Sequence, residues 1–190
     1  MYLDKRIVLA SASPRRRELL GKMGVRFDIL VSDVDESFDG APQDGVREIA
    51  CRKARAVFSM AQDAVVIGAD TLVVIDGCAL GKPKDRADAK RMLQALSGRE
   101  HDVYTGVCVI DADGEQARVE RTGVVFRPLT DEEIETYLDT DEPYDKAGAY
   151  AIQGLASAFI EGFNGSYENV VGFPVDTVAE MLANITTDKK

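Results

Sequence analysis

Residues Val103–Phe126 read VYTGVCVIDADGEQARVERTGVVF. Two β-rich runs, Val103–Ile110 and Ala117–Phe126, flank the turn Asp111-Ala-Asp-Gly114, so the stretch predicts an antiparallel hairpin. Its neighbours are helical. Upstream, Asp85–Leu96 places Ala89, Met92, Leu93 and Leu96 on one face and stops at Gly98. Downstream, Thr130-Asp-Glu-Glu133 is a capping box opening a helix to Leu138. Further out, Ile7–Ala10 and Phe27–Val31 predict short strands, and Ser32–Gly45 is polar, acidic and glycine-rich enough for a loop. Val46 to Ala61 is apolar at helical spacing, and Ala64–Gly68 is a buried-type strand that Thr71–Ile75 either continues or pairs with. Asp76-Gly77 is a turn signal, Phe159-Ile160 a short strand, Pro174–Leu182 a last helix and Thr186–Lys190 a frayed tail. Strands alternating with helices around one long hairpin predict an α/β or α+β chain with a mixed sheet.

The 190 residues suit a single domain, or two small lobes sharing a core. With 23 Lys+Arg against 33 Asp+Glu, the net charge of −10 argues against nonspecific binding to nucleic acid or an anionic membrane. Cys51, Cys78 and Cys108 are far apart, odd in number and not in a CxxC, which predicts reduced, mostly buried thiols. No signal peptide and no apolar run near membrane-spanning length is present, so a soluble cytoplasmic protein is expected.

Against that acidic background, Ser13-Pro14-Arg15-Arg16-Arg17 puts three cations at a helix start. Helix N-termini carry partial positive charge and unpaired N–H groups, so the arginines oppose the dipole unless an anion is shared. Either a phosphate sits there or the turn is simply solvated. Successive helix residues point about 100° apart, so Arg17 cannot share the direction of Arg15 and Arg16. Asp70 ends the run Val-Val-Ile-Gly-Ala, where a carboxylate suits a divalent metal, a water-activating base or a plain turn. Asp33, Asp35 and Glu36 either share a cation or solvate a loop. Lys53 on a helix reaches solvent or an anion, and Lys82 offers a point charge to a phosphate. Gly77-Cys-Ala-Leu-Gly81-Lys82-Pro83 is not a P-loop: it is one residue short and has proline in place of the metal-binding Ser/Thr. His101, the single histidine, has no GxSxG elbow to serve and reads as structural. Asp33-Val-Asp35 also resembles the nucleophile motif of haloacid-dehalogenase-type phosphatases, but it comes after two strands and a helix and lacks a later Asp-Asp pair.

Together, LASASPRRRELL, DVDE, Lys53-Ala54, GADTLVV, LGKP, LSGREHDVYTGV, DKAGAYAIQG and FNGSYENVVGFP resemble, in order, the Maf family of nucleoside triphosphate pyrophosphatases. The resemblance runs from about Leu9 to Pro174. It implies an inosine-triphosphatase-like α/β fold: an elongated mixed sheet flanked by helices, two lobes and a central cleft. It also implies a homodimer, and hydrolysis of a nucleoside triphosphate to monophosphate and pyrophosphate with Mg²⁺ or Mn²⁺. By motif, Asp70 matches the base position, Arg15 and Arg16 the phosphate and nucleotide contacts, and Glu36, Lys53 and Lys82 other polar site positions. Asp70 and Glu36 would hold the metal. Arg15, Thr71 and Gln153 match the dTTP/UTP branch, whereas the 7-methyl-GTP branch carries Trp, Gln and Glu there. Ala151 and Phe173 depart from the family's usual Gly and Leu without touching a charged position. The family is also associated with division-septum control, which leaves a nucleotide-binding regulator as an alternative.

Overall fold

A computed structural model describes residues 5–187 of the chain. Strand β1, Ile7–Leu9, is buried along its length and pairs parallel with β2, Asp28–Ile29, on one side. On the other side it pairs parallel with β3, Val65–Ile75. A strand between parallel neighbours is covered on both faces, which is why Ile-Val-Leu is uninterrupted. Between β1 and β2 lies helix α1, Pro14–Lys22, with Ser13 as N-cap and Pro14 inside the first turn. Helix α2, Pro42–Phe58, connects β2 to β3.

Strand β3 continues unbroken through Gly-Ala-Asp-Thr, resolving the sequence ambiguity in favour of one strand. Asp76 (φ 51°) and Gly77 (φ 75°) then turn it tightly into β4, Cys78–Leu80. Two successive positive φ values are the geometry that matches strand twist in a two-residue hairpin loop. Helix α3, Arg86–Leu96, is capped by Asp85. The long hairpin follows as β5, Glu100–Asp111, and β6, Gly114–Phe126. Its ladder reaches further into the polar turn than hydrophobicity suggested, because Asp111 Oδ1 accepts the Asp113 N–H (3.0 Å) and closes an Asx turn. Helix α4, Asp131–Leu138, carries the full capping box at Thr130 and Glu133. Strand β7, Ile160–Asn164, pairs antiparallel with β6; the short α5, Tyr167–Val171, and α6, Val175–Thr187, complete the chain. The sheet order is β2-β1-β3-β5-β6-β7, with β4 also on β3.

Several element ends differ from the sequence expectation. α2 starts at Pro42, inside the expected loop, because proline is tolerated in a first helical turn. It also ends before Ala61. β2 is only two residues, and α6 extends beyond Leu182 through Thr187. The rest of the expected tail, residues 188–190, lies outside the described residues. Glu142–Asp145, Ala147–Ala149 and Leu155–Phe159 form 3₁₀ turns too short to leave a periodic signal.

The chain forms two compact units, each with its own core. Among the described residues, the first takes 5–70, 105–120 and 172–187; the second takes 71–104 and 121–171. In the first, Val8, Ala50, Cys51, Ala54, Val57, Val66 and Cys108 pack together. In the second, Val73, Met92, Leu93, Leu96, Phe126, Tyr137 and Phe159 do so. Among the described residues, no helix is long and apolar enough to cross a membrane.

Candidate active site

Two glycines set the position of α2 in the first unit. A Cβ on Gly68 would lie 2.3 Å from the Ala50 carbonyl oxygen and 2.8 Å from the Ala54 nitrogen. A Cβ on Gly106 would lie 2.4 Å from the Val46 carbonyl oxygen. The helix backbone therefore lies directly on β3 and β5, where only hydrogen leaves room. Side chains alternate along a strand, so Asp70 projects from the face of β3 that Gly68 leaves bare. Lys53, beside Ala54 on α2, meets it there.

The Lys53 ammonium donates to Asp70 Oδ1 at 2.7 Å and pairs with Glu36 Oε1 at 2.7 Å. The Lys53 and Asp70 side chains are 14% and 12% exposed, so this cation and carboxylate are only slightly wetted. Glu36 stands in the loop before α2, and Arg52 holds that loop. Its Nη1 donates to the Asp35 (3.1 Å) and Ser37 (2.7 Å) carbonyl oxygens. Asp35 accepts from the Ser37 N–H (2.9 Å) and hydroxyl (2.6 Å), which hold its carboxyl below the usual range. The three acids of the DVDE loop thus do different things: Asp35 shapes the turn, Glu36 reaches Lys53, and Asp33 is exposed.

At α1, Ser13 Oγ accepts the Arg16 N–H (3.5 Å) and Ser11 Oγ accepts the Ser13 N–H (3.2 Å). The Arg16 side chain donates to the Gly172 carbonyl through Nε (2.9 Å) and to Ser11 Oγ through Nη1 (3.3 Å). Burial lowers its pKa; Asp70 and Glu36 oppose that, while Arg15 adds to it. Arg16 therefore lies in the field of the same carboxylates that Lys53 bridges. Arg15 is half-buried, and Arg17 is exposed. Of the expected site residues, the first unit brings Arg15, Arg16, Glu36, Lys53 and Asp70 into one neighbourhood.

The second unit holds Thr71, Lys82 and Gln153. Thr71 follows Asp70 along β3, while Lys82 and Gln153 are exposed. The segments that carry Lys82 and Gln153 are joined by the Gly148 N–H donating to the Gly81 carbonyl at 3.1 Å. Glu142 braces the Gln153 segment: its carboxylate accepts from Leu155 N (2.8 Å), Ala156 N (3.2 Å) and the Tyr137 hydroxyl (3.1 Å). His101 is buried, with Nε2 2.7 Å from the Tyr150 hydroxyl. Sequence reasoning missed Arg52 and Glu142 as braces. Both act on backbone groups distant in sequence, and nothing in spacing or charge marks such partners.

Two carboxylates, a nearly buried lysine and an arginine-bearing helix start thus converge in the first unit. The chain belongs to the Maf-like family, whose model matches residues 6–185. It is 52% identical over 182 residues to a dTTP/UTP pyrophosphatase of Pelotomaculum thermopropionicum, covering 94% of this chain and 95% of that one. It is 50% identical over 180 residues to a dTTP/UTP pyrophosphatase of Symbiobacterium thermophilum, covering 94% and 93%. For a dTTP/UTP pyrophosphatase of Bacillus cereus the figures are 47% over 186 residues, covering 97% and 92%. The fold is similar to that of the Staphylococcus aureus Ham1 protein, with a TM-score of 0.53 and 13% identity over 97% of this chain and all of that one. A HAM1 protein from Coxiella burnetii gives a TM-score of 0.51 and 13% identity over 97% and 99%.

Proposed function

We propose that the protein hydrolyses dTTP and UTP to the monophosphate and pyrophosphate, with water attacking the α-phosphorus. The observation that supports this reading best is the ammonium of Lys53 held between Asp70 and Glu36. Two carboxylates that already converge on one cation fit a hard divalent ion, which takes one or two protein carboxylates and fills its shell with water and substrate phosphates. Asp70 and Glu36 would hold Mg²⁺ or Mn²⁺, which would neutralise charge on the phosphates. Asp70 accepts a proton from, or orients, the attacking water. Lys53, Arg15 and Arg16 stabilise the charge that grows on the leaving pyrophosphate. Thr71 and Gln153 face the selection of the base; a neutral Gln both donates and accepts, as a pyrimidine edge requires. A cytoplasmic homodimer is part of the same proposal, and sedimentation of the purified chain measures the oligomeric part.

The test is a product assay on dTTP, UTP and 7-methyl-GTP. Pyrophosphate from the first two is expected. Orthophosphate would point to a phosphatase, and binding without turnover to a regulator. Asp70→Asn should lose on the order of 10²-fold or more in rate while keeping its fold by circular dichroism. Near-wild-type turnover by a folded Asp70→Asn chain would remove Asp70 from the mechanism.

A further inference from the structure

The first unit contains a second cluster of ligand-type side chains that the hydrolytic site does not use. Cys51 on α2 and Cys108 on β5 are buried, at 3% and 0% exposure, and both are reduced. Cys108 lies two residues beyond Gly106, on the strand face against which α2 packs. Cys51 and Lys53 are two positions apart on a helix, so they point in nearly opposite directions, one to β5 and one to Asp70. Glu115, near the start of β6, completes the group: both sulfurs and a Glu115 carboxylate oxygen lie within 4.8 Å of one another.

We propose that Cys51, Cys108 and Glu115 form a site for a thiophilic divalent cation of the zinc type, separate from the carboxylates around Asp70. Two sulfurs and one oxygen suit such a borderline-soft ion, which binds sulfur at about 2.3 Å and oxygen at about 2.0–2.2 Å. Donors around a tetrahedral ion of that size stand roughly 3.5 Å apart, so closure requires a contraction of roughly an ångström. The Glu115 carboxylate is gripped by Arg55 through Nε (2.7 Å) and Nη2 (2.6 Å), the kind of outer contact that orients a metal-ligating carboxylate.

Net charge does not oppose binding: two thiolates and the Glu115 carboxylate against the Arg55 guanidinium leave two negative charges, which one divalent ion cancels.

The experiment titrates the full chain with Co²⁺ alone, the thiols kept reduced by a phosphine. Expected are one equivalent of a thiolate-to-cobalt charge-transfer band and its bleaching by Zn²⁺. Cys78→Ser keeps the band, because Cys78 is exposed and outside the cluster. Cys51→Ser and Cys108→Ser each lose it while retaining Mg²⁺-supported hydrolysis, and Glu115→Gln weakens affinity about tenfold or more. No band with the reduced wild-type chain overturns the proposal without recourse to any variant. So does a band that survives the Cys51→Ser/Cys108→Ser double substitution, or a pair that only forms a disulfide on oxidation and takes no cobalt when reduced.

Discussion

Three adjacent arginines have three different environments. Arg16, besides its proposed role at the phosphates, ties the start of α1 to Ser11 and to the Gly172 carbonyl. Arg15 is half-buried beside it, and Arg17 is exposed. The substitutions should therefore separate. Arg17→Ala should change neither turnover nor melting temperature measurably, as is usual for an exposed side chain away from special contacts. Arg16→Ala should lower stability by about 1–3 kcal/mol, because it leaves the Gly172 carbonyl without its charged donor. Arg15→Ala should raise KM for dTTP while leaving the melting temperature nearly unchanged. Steady-state kinetics and thermal unfolding of the three variants check the division. Equal damage from Arg17→Ala and Arg15→Ala would contradict it.

At the scale of elements, α2 carries the most responsibility, and the reason lies in residues without side chains. Gly68 and Gly106 let its backbone rest on β3 and β5, which sets Lys53 against Asp70 and Cys51 near Cys108. Gly68→Ala would force a methyl group to 2.3 Å from a carbonyl oxygen, and backbone cannot rotate away as a side chain can. The expected result is a loss of about 1–3 kcal/mol in urea unfolding and a drop in turnover of the folded fraction, since Lys53 and Asp70 separate. Unchanged turnover would mean that α2 moves freely without disturbing the pair. The sequence made much of this arrangement readable. The long hairpin, the Ser13 and Thr130 caps and the periodicity of α2 and α3 are local signals, and local physics writes them plainly. Asp70 was readable at the end of an apolar run, Lys53 on a helix and Glu36 in an acidic loop. Their convergence was not, because it depends on a close approach that two glycines merely permit. The braces Arg52 and Glu142 were invisible for the same reason, being defined by partners remote in sequence, whereas the 3₁₀ turns are local but too short to leave a periodic signal.

For the molecule as a whole, acidity and burial pull in opposite directions as pH falls. With a net charge of −10, protonating exposed carboxylates relieves self-repulsion. The core of the second unit responds the other way through its one histidine. His101 stacks edge-on against Phe126, with ring centroids 5.1 Å apart, and meets the Tyr150 hydroxyl at Nε2. Burial raises the Tyr150 pKa, so the phenol keeps its proton, and its hydroxyl shares a hydrogen bond with Nε2. Burial also lowers the His101 pKa from 6.5 to about 4. Above pH 6.5 the ring is neutral in both folded and unfolded chains, and stability is undiminished. Below 6.5 the unfolded chain takes up a proton that the folded chain refuses, until the pH reaches about 4. At about 1.4 kcal/mol per unit, the loss is about 2 kcal/mol by pH 5 and about 3 kcal/mol by pH 4. Carboxylates titrate over part of the same window, so the term is isolated by difference. His101→Phe removes the proton site and is the reference chain. Urea unfolding of both chains across this range should show the wild type losing stability faster on acidification, with the two curves parallel above pH 7. Parallel curves throughout would mean that His101 gains its proton without leaving the core, and that its bond to Tyr150 is not what keeps the ring neutral.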